Sequence, residues 1–150
     1  MAVQLDKRKE ELIRRLIRYR KGKISGAKGQ LFEAFMIQYL AHISPSDLEW
    51  LSIAEIYNLI WQHWVFAFKR PAGTPSIRVY KPNKKTHGYS TGHSVIEICN
   101  DDMPFLVDSV KATIDRFDLK TRLIIHPIIF VRRSTNGKVL EVQDPEQQVE

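Results

Sequence analysis

Val95-Ile96-Glu97-Ile98-Cys99-Asn100-Asp101-Asp102-Met103-Pro104-Phe105-Leu106-Val107-Asp108-Ser109-Val110 is the stretch on which the fold turns. Val95, Ile96 and Ile98 belong to a strand running from His93 to Cys99. From Met103 or Pro104 a helix opens, with Leu106, Val110, Thr113, Ile114 and Phe117 along one face. Asn100-Asp101-Asp102 is therefore a tight strand-to-helix corner. Carboxylates at such a corner have two uses. They satisfy the free N–H groups of the first helical turn and oppose its dipole. Turned elsewhere, they and the backbone N–H groups face a small zwitterionic ligand such as an amino acid.

On the amino-terminal side, Ile77 and Val79 alternate with Arg78 and Tyr80, which predicts a strand, and Pro82 to Gly92 reads as a polar loop. On the other side Asp118 to Lys120 ends the helix. Thr121 to Arg133 reads as an apolar strand interrupted by Pro127, which donates no ladder hydrogen bond and so implies an edge or a bulge. Ser134-Thr135-Asn136-Gly137 carries the Asn-Gly hairpin signal, and Lys138 to Gln143 is the return strand. Residues 71–150 thus read β-β-α-β-β: an α+β sandwich with helices on one face of a mostly antiparallel sheet. Pro71, Gly73 and Pro75 mark its boundary with what precedes.

Residues 1–70 have helical periodicity. Leu5, Leu12, Ile13, Leu16 and Ile17 form the apolar stripe of a basic amphipathic helix, with Glu10 and Glu11 spaced to pair with Arg14 and Arg15. Gly22 to Gly29 fails the Walker spacing and reads as a helix-to-helix joint. Phe32, Phe35, Met36, Tyr39, Leu40 and Ile43 make a second apolar stripe. Ser44-Pro45-Ser46-Asp47 predicts a short helix start, and Ser52-Ile53-Ala54-Glu55 a capping box worth roughly 1 kcal/mol. The helix behind that box carries Ile56, Tyr57, Ile60, Trp61 and Trp64, and its apolar end, Trp64 to Phe68, predicts burial on more than one side. His63 reads as a hydrogen-bonded packing residue.

Composition excludes several classes. With 150 residues, 43% hydrophobic and 27% charged, the chain is long enough to bury a core. No apolar run approaches the about 20 residues of a membrane span. A single cysteine, Cys99, forms no internal disulfide and points to a reducing, cytoplasmic setting. The net charge of +6 is concentrated: residues 1–30 hold ten Lys/Arg against three acids, and the rest is close to neutral. A nucleic-acid-binding body is not supported, and no dinucleotide glycine fingerprint follows a strand. His87 and His93 match no zinc spacing and read as surface or turn-stabilising residues, so neither a catalytic nor a metal residue is assigned.

The run Asn100 to Val110, with Ile125-His126-Pro127 and Val131-Arg132-Arg133, resembles the amino-terminal region of the large-subunit class of NAD-specific glutamate dehydrogenases. Ile77-Arg78-Val79-Tyr80, Gly88-Tyr89-Ser90 and His93-Ser94-Val95 fit the same region. The resemblance implies an ACT-like (ferredoxin-like) βαββαβ regulatory module, here partial, behind a helical lead. It implies an amino-acid effector at Asp101, Asp102, Met103, Pro104 and Phe105. Asp102 and Pro104 match the family's turn, whereas Met103 is interposed and Phe105 stands where Gly is usual; Gly lets a ligand approach the backbone closely and Phe does not. The chain reaches Glu150 after the third ACT-like strand, and either the strand near Ile77 to Lys81 or a partner chain fills the vacant edge.

What the resemblance implies is a non-catalytic regulatory and assembly region. NAD would bind elsewhere in the parent enzyme and no cofactor here. The partners are the remainder of the parent polypeptide and other subunits in a homo-oligomer, with no membrane. Two alternatives from other classes remain: an adaptor whose basic arm, residues 8–28, binds nucleic acid or an anionic surface, and a small enzyme using Asp101, Asp102 and His93 in one cleft.

Overall fold

The computed structural model describes residues 2–148, and side chains from 7 to 146. Three helices, α1 (Ala2–Lys21), α2 (Gly26–Leu40) and α3 (Ile53–Ala67), pack on one another with a 3-10 turn, Pro45–Leu48, against α1. The predicted stripe of α1 faces this core through Leu12, Ile13, Leu16 and Ile17, and Leu16 is fully buried. The side chain of Leu5 lies outside the described residues. Aromatic rings fill the centre edge to face: Tyr19 on Tyr57 at 5.0 Å and Phe32 on Trp61 at 5.0 Å between centroids.

The joint between α1 and α2 brings the two backbones together at Gly29, where a Cβ would lie 2.8 Å from the Ile24 carbonyl oxygen. The capping box forms as predicted: Glu55 N–H donates to Ser52 Oγ at 3.2 Å and Ser52 N–H to Glu55 Oε2 at 3.0 Å. That backbone N–H is the main cause holding the Glu55 carboxyl below its ordinary range. The expected helix at Ser44 is only the 3-10 turn, because Ser44 Oγ bonds Ser46 Oγ at 2.7 Å and makes no cap. The end of α3 is also less enclosed than its composition predicts: Trp64 is buried but Val65 is exposed.

Several cations of α1 are engaged within the fold. Arg8 pairs with Glu49 at 2.6 Å, Arg14 with Glu11 at 3.1 Å, and Lys9 donates to the Ala41 carbonyl at 2.7 Å. Arg20 is buried against Glu33 and the Ile24 carbonyl. The basic arm is thus stitched down by many of the groups that would otherwise face a phosphate backbone.

After the 69–75 turn come β1 (Ser76–Tyr80), a one-turn helix α4 (Lys84–His87), β2 (Val95–Cys99), α5 (Leu106–Arg116), β3 (Val131–Arg133) and β4 (Val139–Val142). The architecture is α+β, as expected, but the predicted single sheet is two separate antiparallel pairs, β1 with β2 and β3 with β4. The strand expected from Thr121 to Arg133 forms a ladder only at its end. Before that the chain is extended and leans on the helices instead: Gln38 of α2 accepts from Phe130 N–H at 2.9 Å and donates to the Gln143 carbonyl at 2.6 Å, while Ile125 and Ile129 pack on the helical core. Pro127 has no N–H to give a neighbouring strand. The loop 82–92 holds one unexpected turn, α4, capped by Asn83, whose Oδ1 accepts from Thr86 N–H at 2.8 Å.

The β1–β2 pair is inverted relative to an ordinary half-buried sheet. Its register sets Ile77 opposite Ile98, Arg78 opposite Glu97 and Val79 opposite Ile96. The polar row faces α3: Arg78 Nη2 donates to the Gln62 carbonyl at 3.3 Å and its guanidinium lies over the Phe66 ring at 5.1 Å. The apolar row faces outward, with Ile77 64% and Val79 65% exposed. Inside, Glu97 is only 5% exposed but fully served, by Arg78 at 2.5 Å on Oε2 and the Tyr80 hydroxyl at 2.8 Å on Oε1. Tyr89 extends the set, 2.5 Å from the Tyr80 oxygen. A buried carboxylate with both oxygens satisfied is tolerable where an unpaired one is not.

Candidate functional site

The predicted corner exists, and it is built differently from the capping geometry foreseen. β2 ends at Cys99 and α5 begins at Leu106, so the chain turns over Asn100 to Phe105. The residue at the helix N-cap is Phe105, in the left-handed region at φ 62°, and no side chain caps the first turn. Asp101 is turned away from the helix to pair with Arg70, which is buried behind the corner and also donates to the Thr74 carbonyl at 3.0 Å. Capping by Asp101 is thereby corrected: a buried guanidinium attracts the carboxylate more strongly than peptide N–H groups do. Asp102, Met103, Pro104 and Phe105 are exposed, and Asn100 Nδ2 sits 3.7 Å from Met103 Sδ.

Two arginines that the sequence reading did not single out organise this end of the molecule. Arg133, on β3, donates to the Ala67 carbonyl at 2.8 Å and to the Phe68 carbonyl at 3.3 Å, closing the carboxyl end of α3. It also reaches the Gly137 carbonyl at 2.7 Å and lies 3.8 Å from Cys99 Sγ. Burial lowers its pKa from the ordinary guanidinium value. Arg70 N–H donates to the same Gly137 carbonyl at 3.1 Å. Gly137, at φ 83°, is required there, since a Cβ would stand 2.2 Å from the Arg70 carbonyl oxygen. Neither arginine carried a local signal, since the partners of Arg70 and Arg133 include Asp101 and the Ala67 carbonyl, each tens of residues away, and Arg133 stood out only by its place in the quoted Val-Arg-Arg run.

The histidines take the roles read for them. His63 Nδ1 lies 3.3 Å from the Tyr39 hydroxyl, and burial lowers its pKa below the ordinary imidazole value. His87 Nδ1 accepts from Asn83 N–H at 3.1 Å within the α4 turn, and His93 is exposed. Among the described residues no three His, Cys, Asp or Glu side chains gather as a metal site requires, and no helix is long and apolar enough to cross a membrane.

Chemically, the corner offers two carboxylates with different settings, one neutralised by Arg70 and one open to solvent. An ammonium group suits the open Asp102, and a carboxylate suits the first-turn N–H groups of α5. It has none of the glycines through which backbone N–H groups approach a pyrophosphate closely. A partly open cavity elsewhere, about 50 Å³ between Tyr39, Ile43 and residues 123–127, has room for water and not for an amino acid.

Residues 35–150 match the family described as the ACT1 domain of glutamate dehydrogenase. The chain is 28% identical over 108 residues to the NAD-specific glutamate dehydrogenase of Pseudomonas aeruginosa, covering 72% of this chain and 7% of that protein. It is 25% identical over 137 residues to the NAD-specific glutamate dehydrogenase of Halomonas elongata, covering 91% of this chain and 8% of that protein. The matches thus span less than a tenth of the length of either relative. No solved structure matches.

Proposed function

Because the chain belongs to the glutamate dehydrogenase ACT1-domain family, we propose that it is the amino-terminal regulatory and assembly region of an NAD-dependent glutamate dehydrogenase and is itself non-catalytic. On this reading the parent enzyme, in the cytoplasm, oxidises L-glutamate to 2-oxoglutarate and ammonia with reduction of NAD, on a domain elsewhere in the polypeptide. Residues 1–70 are the helical segment and 71–150 the partial ACT-like module.

The observation that carries the assembly role is where apolar surface remains. Among the described residues, all the exposed large hydrophobics except Ile37, Trp50 and Val65 fall between Ile77 and Leu140 in the sequence. Large apolar side chains left in water favour burial against a partner. Its partners are the remainder of the parent polypeptide and other copies of the subunit. The regulatory role rests on the corner, where Asp101, Asp102, Met103, Pro104 and Phe105 would meet an amino-acid effector.

Two measurements on the parent enzyme test this. Replacing Leu123 and Ile124 by Ser loosens assembly, read by light scattering, while turnover per assembled subunit stays constant; turnover lost with assembly intact sinks the non-catalytic reading. Calorimetric titration with a panel of amino acids gives saturable heat that Asp102→Asn removes. Silence across millimolar ligand eliminates the effector and leaves assembly alone.

A further inference from the structure

Arg70 holds a donor that the fold leaves unused. The residue is only 6% exposed, and its guanidinium points into the acidic corner between β2 and α5. Nη1 donates to the Thr74 carbonyl and Nη2 to Asp101 Oδ1, but among the described residues nothing accepts from Nε. A buried donor without an acceptor costs its desolvation and calls for an explanation. Nε and Nη2 together form the edge of a guanidinium that a carboxylate grips with two parallel bonds, and Asp101 takes one of them. Its side chain is 68% exposed, so it leaves for water at little cost. Arg133 brings a second guanidinium to the same corner: burial lowers its pKa, the charge of Arg70 adds to that, and Asp101 opposes it. Arg20 also leaves its Nε unpaired, but its carboxylate, Glu33, is mostly buried with it, so no exposed acid stands ready to leave.

We propose that Asp101 is an internal stand-in for the carboxylate of a small amino acid: the ligand's carboxylate displaces Asp101 and takes the Nε–Nη2 edge of Arg70, while its ammonium meets Asp102. This rests on the amino-acid reading of the corner and adds the residue that recognises the carboxylate. Arg70, rather than the first turn of α5, is the anchor, because a charge-assisted fork holds an anion more strongly than neutral N–H groups do. The exchange is nearly balanced, one carboxylate for another, and the second bond, at Nε, supplies the preference for the ligand. The tethered Asp101 lowers the apparent affinity, since a ligand binds only the fraction of molecules whose fork is free. Removing that competitor therefore tightens binding without adding any contact.

Calorimetric titration of the 150-residue chain with alanine, propionate and ethylamine separates the two charges of the ligand. In Asp101→Asn, with folding checked by circular dichroism, the amide oxygen still accepts from Nη2 but no longer competes as an anion. Propionate and alanine then bind about tenfold more tightly or better than in the unaltered chain, and ethylamine does not. Adding Arg70→Lys, which keeps the charge and loses the fork, abolishes that gain. Propionate binding that Asp101→Asn leaves unchanged or weakens, that is absent from both chains, or whose gain survives Arg70→Lys, overturns the exchange. Alanine binding that Asp102→Asn removes leaves the effector reading standing in each of those cases. Propionate bound by Asp101→Asn with alanine silent in both chains keeps the exchange and ends the amino-acid reading.

Discussion

The helical half and the β1–β2 hairpin solve burial in opposite ways. Around Phe32, Leu16 and Ile60 the core is apolar, and most of the charges of α1 are left at its surface. Beneath the hairpin a carboxylate is buried at Glu97 and its isoleucines and valine face out. The first arrangement gains about 1.5–3 kcal/mol for each large side chain it covers. The second gains little from solvent and depends on complete pairing, so it specifies a geometry more than it stabilises one.

The largest expected effect tests the apolar half. Phe32→Ala removes a fully buried ring that meets Tyr57 and Trp61 edge to face, and costs about 4 kcal/mol in chemical denaturation. Glu97→Gln tests the other half by leaving Arg78 without its counter-charge. It costs about 3 kcal/mol, toward the lower end for a buried pair because Arg78 retains some solvent contact. Its signature is local: amide exchange in β1 and β2 quickens while α1 to α3 stay protected. Uniform loss of protection would erase the distinction between the halves.

A smaller effect sharpens the account of α3, on which both halves rest. Ser52→Ala removes the capping box and costs about 1 kcal/mol, measured as a fall in the denaturation midpoint. The smallest is a pH effect. His63 is held neutral by burial, so its folded pKa lies below the unfolded value of about 6.5. Below that pH the unfolded chain binds a proton that the folded chain refuses. Stability is therefore complete above about pH 6.5 and declines as pH falls, by less than about 1.4 kcal/mol per unit. His63→Gln flattens this limb between pH 7.5 and 5.5. The loss from Glu55, whose carboxyl is held low, begins only in the ordinary carboxylate range and survives the substitution.

Legibility in the sequence followed the range of the interaction. The Ser52 box, the Gly22 to Gly29 joint and the β2–α5 corner all depend on neighbours a few residues apart, and each was found where spacing put it. The Asn-Gly turn was likewise found, but what its glycine touches, the Arg70 carbonyl, lies 67 residues away by number. The corner's acids were named correctly as corner residues, yet the partner of Asp101 is Arg70, in the turn that follows α3. Thr121 to Phe130 has the apolar composition of a strand and no ladder, because a strand is defined by a partner that Gln38 of a helix partly replaces.

By itself the sequence determined the periodicities, the caps and turns, the placement of charge in the leading helix and the likeness to the dehydrogenase family. These are properties of adjacent residues or of residue order. Which face of β1–β2 turns inward was decided only by the tertiary structure. Strict alternation is symmetric between the two faces, and the choice is made by what lies opposite: α3 supplies a carbonyl at Gln62 and a ring at Phe66 that complete the set around Arg78 and Glu97. Once those charges have partners inside, the apolar row is left to find its cover outside.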